Sequence, residues 1–209
     1  MCYHLKKTKK AVELKKRFKA KFRQEKEYTP KDALNGFDHP FTPIITNELP
    51  EEIQLFQWGL LPHWAKDPSI QNNTLNAKIE TIHEKPSFKS VIHQRCLILA
   101  DGFYEWKWLD SKGKQKEKYL ITLENNEAFS LAGLWSQWTN PLTHKTVNSY
   151  TLLTTEANEL MAEIHNSKKR MPIILTESSE KEWLAGKSEL ILNHNLIAKS
   201  LEPRIDLFS

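Results

Sequence analysis

The stretch RCLILADGFYEWKWLD, residues 95–110, decides how the chain is read. Cys96 to Ala100 is an unbroken apolar run of strand length, which predicts a buried strand. Gly102 interrupts it, and a second strand-like segment follows. If that segment alternates, Phe103, Glu105 and Lys107 share one face, and Tyr104, Trp106 and Trp108 share the other. Asp110-Ser111-Lys112-Gly113 reads as a turn, so 103–109 and 118–124 form a hairpin. Asn125-Asn126 is a second tight turn.

Working outward, residues 52–59, 128–135 and 148–155 carry the same Ile, Leu, Phe, Tyr and Trp enrichment and are predicted strands. Helices are expected near 87–94 and 156–164. A later helix opens at Ser179, with Glu182 completing a capping box, and stops near Gly186. Ala11, Leu14, Phe18 and Phe22 form one stripe of an amphipathic helix, with Thr8 as its N-cap. Residues 28–50 hold Pro30, Pro40, Pro43 and Pro50 and read as an irregular, extended excursion. Strands dominate the middle without β-α-β alternation. The expectation is α+β: a single domain over 1–209, built on a mostly antiparallel, barrel-like sheet with flanking helices.

With 209 residues, 39% hydrophobic and 27% charged, the chain is globular and long enough for a core without staples. No apolar run reaches the roughly 20 residues of a membrane helix. Cys2 and Cys96 cannot make a disulfide scaffold, so a reducing compartment, the cytoplasm, is expected. Residues 1–27 hold 11 Lys and Arg against 3 Glu, a net +8 that leaves −4 for the rest of the +4 chain. Such a run is either a solvated helix face or a neighbour of a polyanion. It continues without the apolar core of a secretory signal. His93-x-x-Cys96 lacks a second ligand pair, and there is no HExxH or CxxC, so no metal is expected. Six glycines and the lack of GxGxxG, Walker A and GxSxG motifs argue against a phosphate cradle, and no cofactor is expected.

Four places could carry chemistry. Cys2 follows a start methionine that is removed when the next residue is small, which would expose a 1,2-aminothiol. Its amine and thiol, with ordinary pKa values near 8 and 8.5, are both reactive near neutral pH. Such a pair condenses with an aldehyde to an imine and then a thiazolidine, or acts as an N-terminal nucleophile. Glu105 is an acid set among aromatics, where a raised pKa suits a general acid or base. His165 closes a helix and precedes Lys168, Lys169 and Arg170, a proton carrier beside phosphate-seeking cations. Asn76 and Lys78 could orient an amine and meet a phosphate.

Together these pieces resemble the SRAP family, the abasic-site processing proteins first described as SOS response-associated peptidases. The resemblance runs through Cys2, Trp58-Gly59-Leu60-Leu61-Pro62-His63-Trp64, Asn76-Ala77-Lys78, Glu84-Lys85-Pro86-Ser87-Phe88, the 95–106 stretch, Ala132-Gly133-Leu134-Trp135, Ile164-His165 and Arg170-Met171-Pro172. It implies binding of single-stranded DNA and capture of an abasic-site aldehyde by Cys2 as a covalent thiazolidine. It implies that Asn76 holds the Cys2 amine end, Glu105 opens the sugar and moves protons, and His165 serves imine formation and reversal. AP-lyase activity, self-reversal and proteolytic removal of Met1 also follow from the resemblance. The DNA surface would combine Lys78, Arg170, Lys168 and Lys169 with Trp64 as an aromatic platform and His4 beside the nucleophile. Three departures stand out. Tyr3-His4 replaces the usual Gly-Arg, Lys78 replaces an Arg, and the His165–Arg170 link is lengthened. A phosphate grip resting more on lysines is expected. The competing reading is a peptidase or hydrolase using Cys2 on amides; the other is a non-catalytic single-strand binder. A monomer is expected, cytoplasmic and nucleoid-associated during repair.

Overall fold

The structure is a computed structural model that describes residues 2–187 and 195–202. The expected 1–209 domain is therefore described over those residues. Its strands are β1 (His4–Lys7), β2 (Lys21–Phe22), β3 (Lys31–Asn35), β4 (Phe41–Thr46), β5 (Glu52–Trp58), β6 (Asn76–Lys78), β7 (Arg95–Ala100), β8 (Gly102–Trp108), β9 (Lys116–Leu123), β10 (Phe129–Thr139), β11 (Thr146–Glu156), β12 (Arg170–Pro172), β13 (Ile174–Leu175) and β14 (Leu196–Ser200). The helices are α1 (Ala11–Phe18), α2 (Pro86–Lys89), α3 (Glu159–Ile164) and α4 (Glu177–Leu184).

Five strands close on themselves. The order β5-β4-β7-β10-β11 is antiparallel throughout, and a parallel β11–β5 pairing at Ser149–Gln57 and Tyr150–Trp58 completes the ring. A second sheet, β14-β9-β8-β1-β3, packs beside it. The α+β, barrel-like expectation holds. Strand β7 is buried and apolar on both faces, which is why Cys96 to Ala100 reads as a continuous run. Leu97 and Leu99 join a cluster with Leu14 of α1, Phe88 of α2 and Trp183 of α4. Cys96, Ile98 and Ala100 point the other way, into a cluster with Leu5, Phe103 and Ile121 of the second sheet and Met161 of α3. The second cluster also holds Cys2.

The 103–109 hairpin forms as expected: Asp110 accepts hydrogen bonds from the backbone N–H of Lys112, Lys114 and Gln115. Gly113 sits at φ +64 under the Trp108 ring, where a Cβ would lie 2.5 Å from the indole. Lys118 lies over both Tyr104 and Trp106, and Lys116 over Trp108, so these three rings share a face as alternation predicts.

Several boundaries differ from expectation. Residues 28–50 are not irregular: they contain β3 and the barrel strand β4. Pro43 is tolerated because it pairs only with Leu55 on β5, one residue before the β7 ladder begins at Ile44. Helix α1 ends at Phe18, Lys19 takes the left-handed conformation at φ 52, and Phe22 is buried from β2 instead. Its N-cap is Lys10, whose N–H donates to Glu13 at 2.8 Å, because Thr8 is held by Asp101. Helix α4 begins three residues early, capped by Thr176 rather than Ser179. The 87–94 helix is only the short α2.

The basic N-terminal stretch is matched in part by acids of the fold. Lys6 pairs with Asp101, Lys9 with Glu13, Lys15 with Glu25, Arg17 with Glu180 and Arg23 with Glu52. Lys7 is buried and donates to the Leu99 carbonyl. Six of the stretch's eleven basic side chains are thus engaged within the fold, five in ion pairs and Lys7 on a carbonyl. Among the described residues no helix is long and apolar enough to cross a membrane, and no three His, Cys, Asp or Glu side chains gather as metal ligands.

Candidate functional site

Strand β1 delivers Cys2 into the core. It pairs antiparallel with β8 through His4–Tyr104, Leu5–Phe103 and Lys6–Gly102. Extended one step before the first of these rungs, the same register sets Tyr3 opposite Glu105. Cys2 is fully buried, its thiol directed at the His4 carbonyl at 3.7 Å. Burial pushes that thiol far above its ordinary value, and the nearby charge of Glu105 pushes in the same direction.

Asn76 comes from the start of β6, which runs parallel to β11 with Asn76 opposite Leu152. Its Nδ2 donates to the Cys2 carbonyl at 2.9 Å. Leu75, the residue before it, is fixed through its carbonyl by Nε1 of the buried Trp58 at 2.8 Å, and Trp58 stacks on Tyr150. A buried aromatic pair thus sets the height of Asn76.

Glu105 is 4% exposed. Desolvation raises its pKa from 4.5 to about 7. An acid held there exchanges protons in both directions at neutral pH. Its neighbourhood opens to solvent through a notch of about 230 Å³ lined by Tyr3, His4, Phe37, Trp106 and Lys116. Tyr3 and Phe37 pack at 5.0 Å between centroids, and His4 meets the edge of Trp106 at 4.8 Å. Burial, then the charge of Lys118, lowers the His4 pKa, so His4 is a neutral ring here.

His165 ends α3 and is buried. Its Nδ1 lies 2.8 Å from the Arg170 carbonyl and 3.2 Å from the Arg170 N–H, so the Arg170 backbone holds the ring in either tautomer. Desolvation lowers its pKa, so the ring is neutral at pH 7. Arg170, at the start of β12, is buried with its guanidinium engaged: it forms a bidentate pair with Glu80 at 2.9 and 2.8 Å and donates to the Thr154 carbonyl at 2.7 Å. That pair ties β12 to β11 and to the turn after β6. It also lowers the Glu80 pKa. Lys78, Lys168 and Lys169 are exposed, Lys169 in the left-handed conformation at φ 48. Trp64 is 47% exposed, its Nε1 3.4 Å from the Pro86 carbonyl.

The fold therefore gathers Cys2, Asn76 and Glu105 around the head of β1. His165 and Arg170 share one closed turn, and Lys78, Lys168, Lys169 and Trp64 reach solvent. Sequence reasoning did not assign Tyr3 and Phe37 as notch walls, Glu80 as the Arg170 partner, or Asn166 as described below. Complementary charge was the one signal for Glu80; nothing local marks Tyr3 or Phe37.

These features define a fold with a buried cysteine at position 2 beside an acid that titrates near neutral pH. The family model described as SOS response associated peptidase (SRAP) matches residues 1–205, and the chain belongs to that family. It is 42% identical over 168 residues to "Abasic site processing protein YoqW" of Bacillus subtilis, spanning 80% of this chain and 72% of that one. It is 32% identical over 151 residues to "Abasic site processing protein HMCES" of Xenopus tropicalis, spanning 61% of this chain and 43% of the longer relative. A crystal structure of a Bacteroides thetaiotaomicron protein superposes with a TM-score of 0.86 at 30% identity, covering 96% of this chain and 92% of that one. A Bordetella bronchiseptica protein shares the fold at a TM-score of 0.81 and 24% identity, covering 97% and 100%.

Proposed function

We propose that this chain, once Met1 is removed, processes abasic sites by capturing the lesion aldehyde in single-stranded DNA on Cys2 and so shielding the strand from cleavage. The observation that supports this most is the arrangement at residue 2: a carbonyl pinned by Asn76, with Glu105 alongside at a pKa of about 7. The reading also draws on the relatives named as abasic site processing proteins.

The steps balance. Protonated Glu105 assists opening of the sugar to its aldehyde. The Cys2 amine adds to the aldehyde carbon, and the carbinolamine hydroxyl takes a proton from Glu105 and leaves as water. The thiol sulfur then bonds to the iminium carbon, its proton returning to the Glu105 carboxylate. The product is a thiazolidine, with one water lost overall. Neutral His165 accepts and returns a proton as the imine forms and reverses. From the same imine, loss of the proton next to the carbon gives a lyase outcome, and hydrolysis gives release. Removal of Met1 by the chain itself belongs to the same proposal.

Lys78, Lys168 and Lys169 supply exposed cations for phosphates, with Arg170 behind them. Trp64 and the Tyr3–Phe37–Trp106 notch supply faces for flanking bases. Lys78→Glu is expected to weaken binding of abasic single strands about 5- to 10-fold and to reduce the salt slope by about 1. Equal crosslinking rates for both proteins at limiting DNA would remove Lys78 from the surface.

The aldehyde requirement is tested by treating the abasic strand with hydroxylamine first. The oxime is expected to give no covalent product. Equal product from the oxime strand, or turnover of a peptide by mature protein without DNA, would favour the hydrolase reading instead.

A further inference from the structure

The lengthened link between His165 and Arg170 has its own anchor. Strand β8 is longer than its partner β1: β1 pairs with it only from Gly102 to Tyr104, whereas β9 follows it to Trp108. Beyond Tyr104, β1 makes no further rung with β8 among the described residues. Asn166 supplies one. Its Oδ1 accepts from the Trp108 N–H at 3.1 Å, and its Nδ2 donates to the Trp108 carbonyl at 2.9 Å. A side-chain amide reproduces both halves of a strand rung, which only Asn or Gln can do.

The rest of the link folds back on itself. The His165 carbonyl accepts from the N–H of Lys169 at 2.8 Å, and the Lys169 carbonyl accepts from Ala157 at 3.0 Å. This turn closes on the His165 ring through the Arg170 carbonyl. A second tie, Lys107 Nζ to Glu163 at 2.6 Å, joins the same strand to α3. It is solvent-exposed on the Glu163 side, with 68% side-chain exposure, so screening leaves it little weight. Among the side-chain hydrogen bonds between described residues of β8 and the α3 end, Asn166 thus makes the pair that reaches the backbone of the strand that carries Glu105.

We propose that Asn166 is a positioning residue, which sets His165 relative to Glu105 by clamping the α3 terminus to the Trp108 backbone. The catalytic part of this inference rests on the function proposed above; the geometric part does not. Two variants test it. Asn166→Ala removes both bonds. Asn166→Asp keeps the acceptor and sets a carboxylate against the Trp108 carbonyl.

The first readout is single-turnover capture of an abasic oligonucleotide. The expected result for Asn166→Ala is a rate at saturating DNA about 10-fold lower, with unchanged DNA affinity, and an intermediate rate for Asn166→Asp. A purely structural role would move affinity and melting temperature together and would not single out the saturated rate. The second readout needs no DNA: the imidazole resonances of His165, identified by their loss in His165→Gln, are expected to shift in both Asn166 variants. Wild-type rates together with unmoved His165 resonances in both variants would overturn the proposal. Absence of capture by the wild type would overturn the proposed function, and the resonance arm would then decide the positioning alone.

Discussion

Glu105→Gln is expected to stabilise the protein above pH 7 and to slow aldehyde capture about 100-fold. The two effects share one cause. In the unfolded chain this carboxyl ionises near 4.5, and in the fold near 7. Between those values the folded state holds a proton that the unfolded state has lost. Stability from this group is thus full below pH 4.5 and is lost as pH rises through 7. The cost above pH 7 is about 3 kcal/mol if the whole shift is counted. Glutamine has the same shape and no charge to bury. At pH 8 the variant is expected to melt several degrees higher, and at pH 4 at the same temperature as wild type. Capture falls because glutamine cannot supply or accept the proton. A variant that melts identically at pH 8, or captures at the wild-type rate, would contradict this account of Glu105.

Asp101→Ala is expected to be the most damaging substitution among the polar residues of this region. Asp101 is 2% exposed at the corner between β7 and β8. It accepts hydrogen bonds from Lys6 Nζ at 2.5 Å and from the Thr8 N–H and hydroxyl, both at 2.6 Å. These bonds fix the far end of β1 and so the register that carries Cys2. Burial alone would raise the Asp101 pKa, but the bonds from Lys6 and Thr8 outweigh it, and the net shift is downward. A depressed carboxyl contributes stability above its unfolded pKa of 3.8 that is lost as pH falls through the folded value. Its charge also supports Lys7, whose amine is buried and lowered by desolvation to about 7. Removing the carboxylate leaves Thr8 and a buried lysine without it, and a loss of about 3–5 kcal/mol is expected at pH 7. Asp101→Asn keeps one acceptor and should lose less. Denaturant unfolding of the two variants checks both the size and the order.

Much of this architecture is legible in the sequence because strand alternation and turn chemistry are local. The Cys96–Ala100 run, the Asp110–Gly113 turn and the aromatic face of β8 all read directly. Strand β4 does not, because Pro40 and Pro43 suggest a break, and only the register with β5 and β7 reveals the position where proline is harmless. Strand β1 does not read either. Lys6 and Lys7 look like the approach to a basic helix, yet one pairs with a buried acid and the other is itself buried. The site divides the same way. Cys2 and Glu105 are visible from type and setting. Asn76 depends on a backbone carbonyl 74 positions away, and Asn166 on a strand edge that exists only because β1 is short. Neither partner leaves a local trace in the sequence.

The central claim is covalent capture of an abasic aldehyde by Cys2. The most direct measurement is a denaturing gel of wild type and Cys2→Ala, each with Met1 removal confirmed by intact mass. Each is mixed with single-stranded DNA carrying one abasic site, or with an undamaged strand. A heat-stable shifted band for wild type alone, on the abasic strand alone, is the predicted result. No band from mature wild type, or an equal band from Cys2→Ala, would contradict the account.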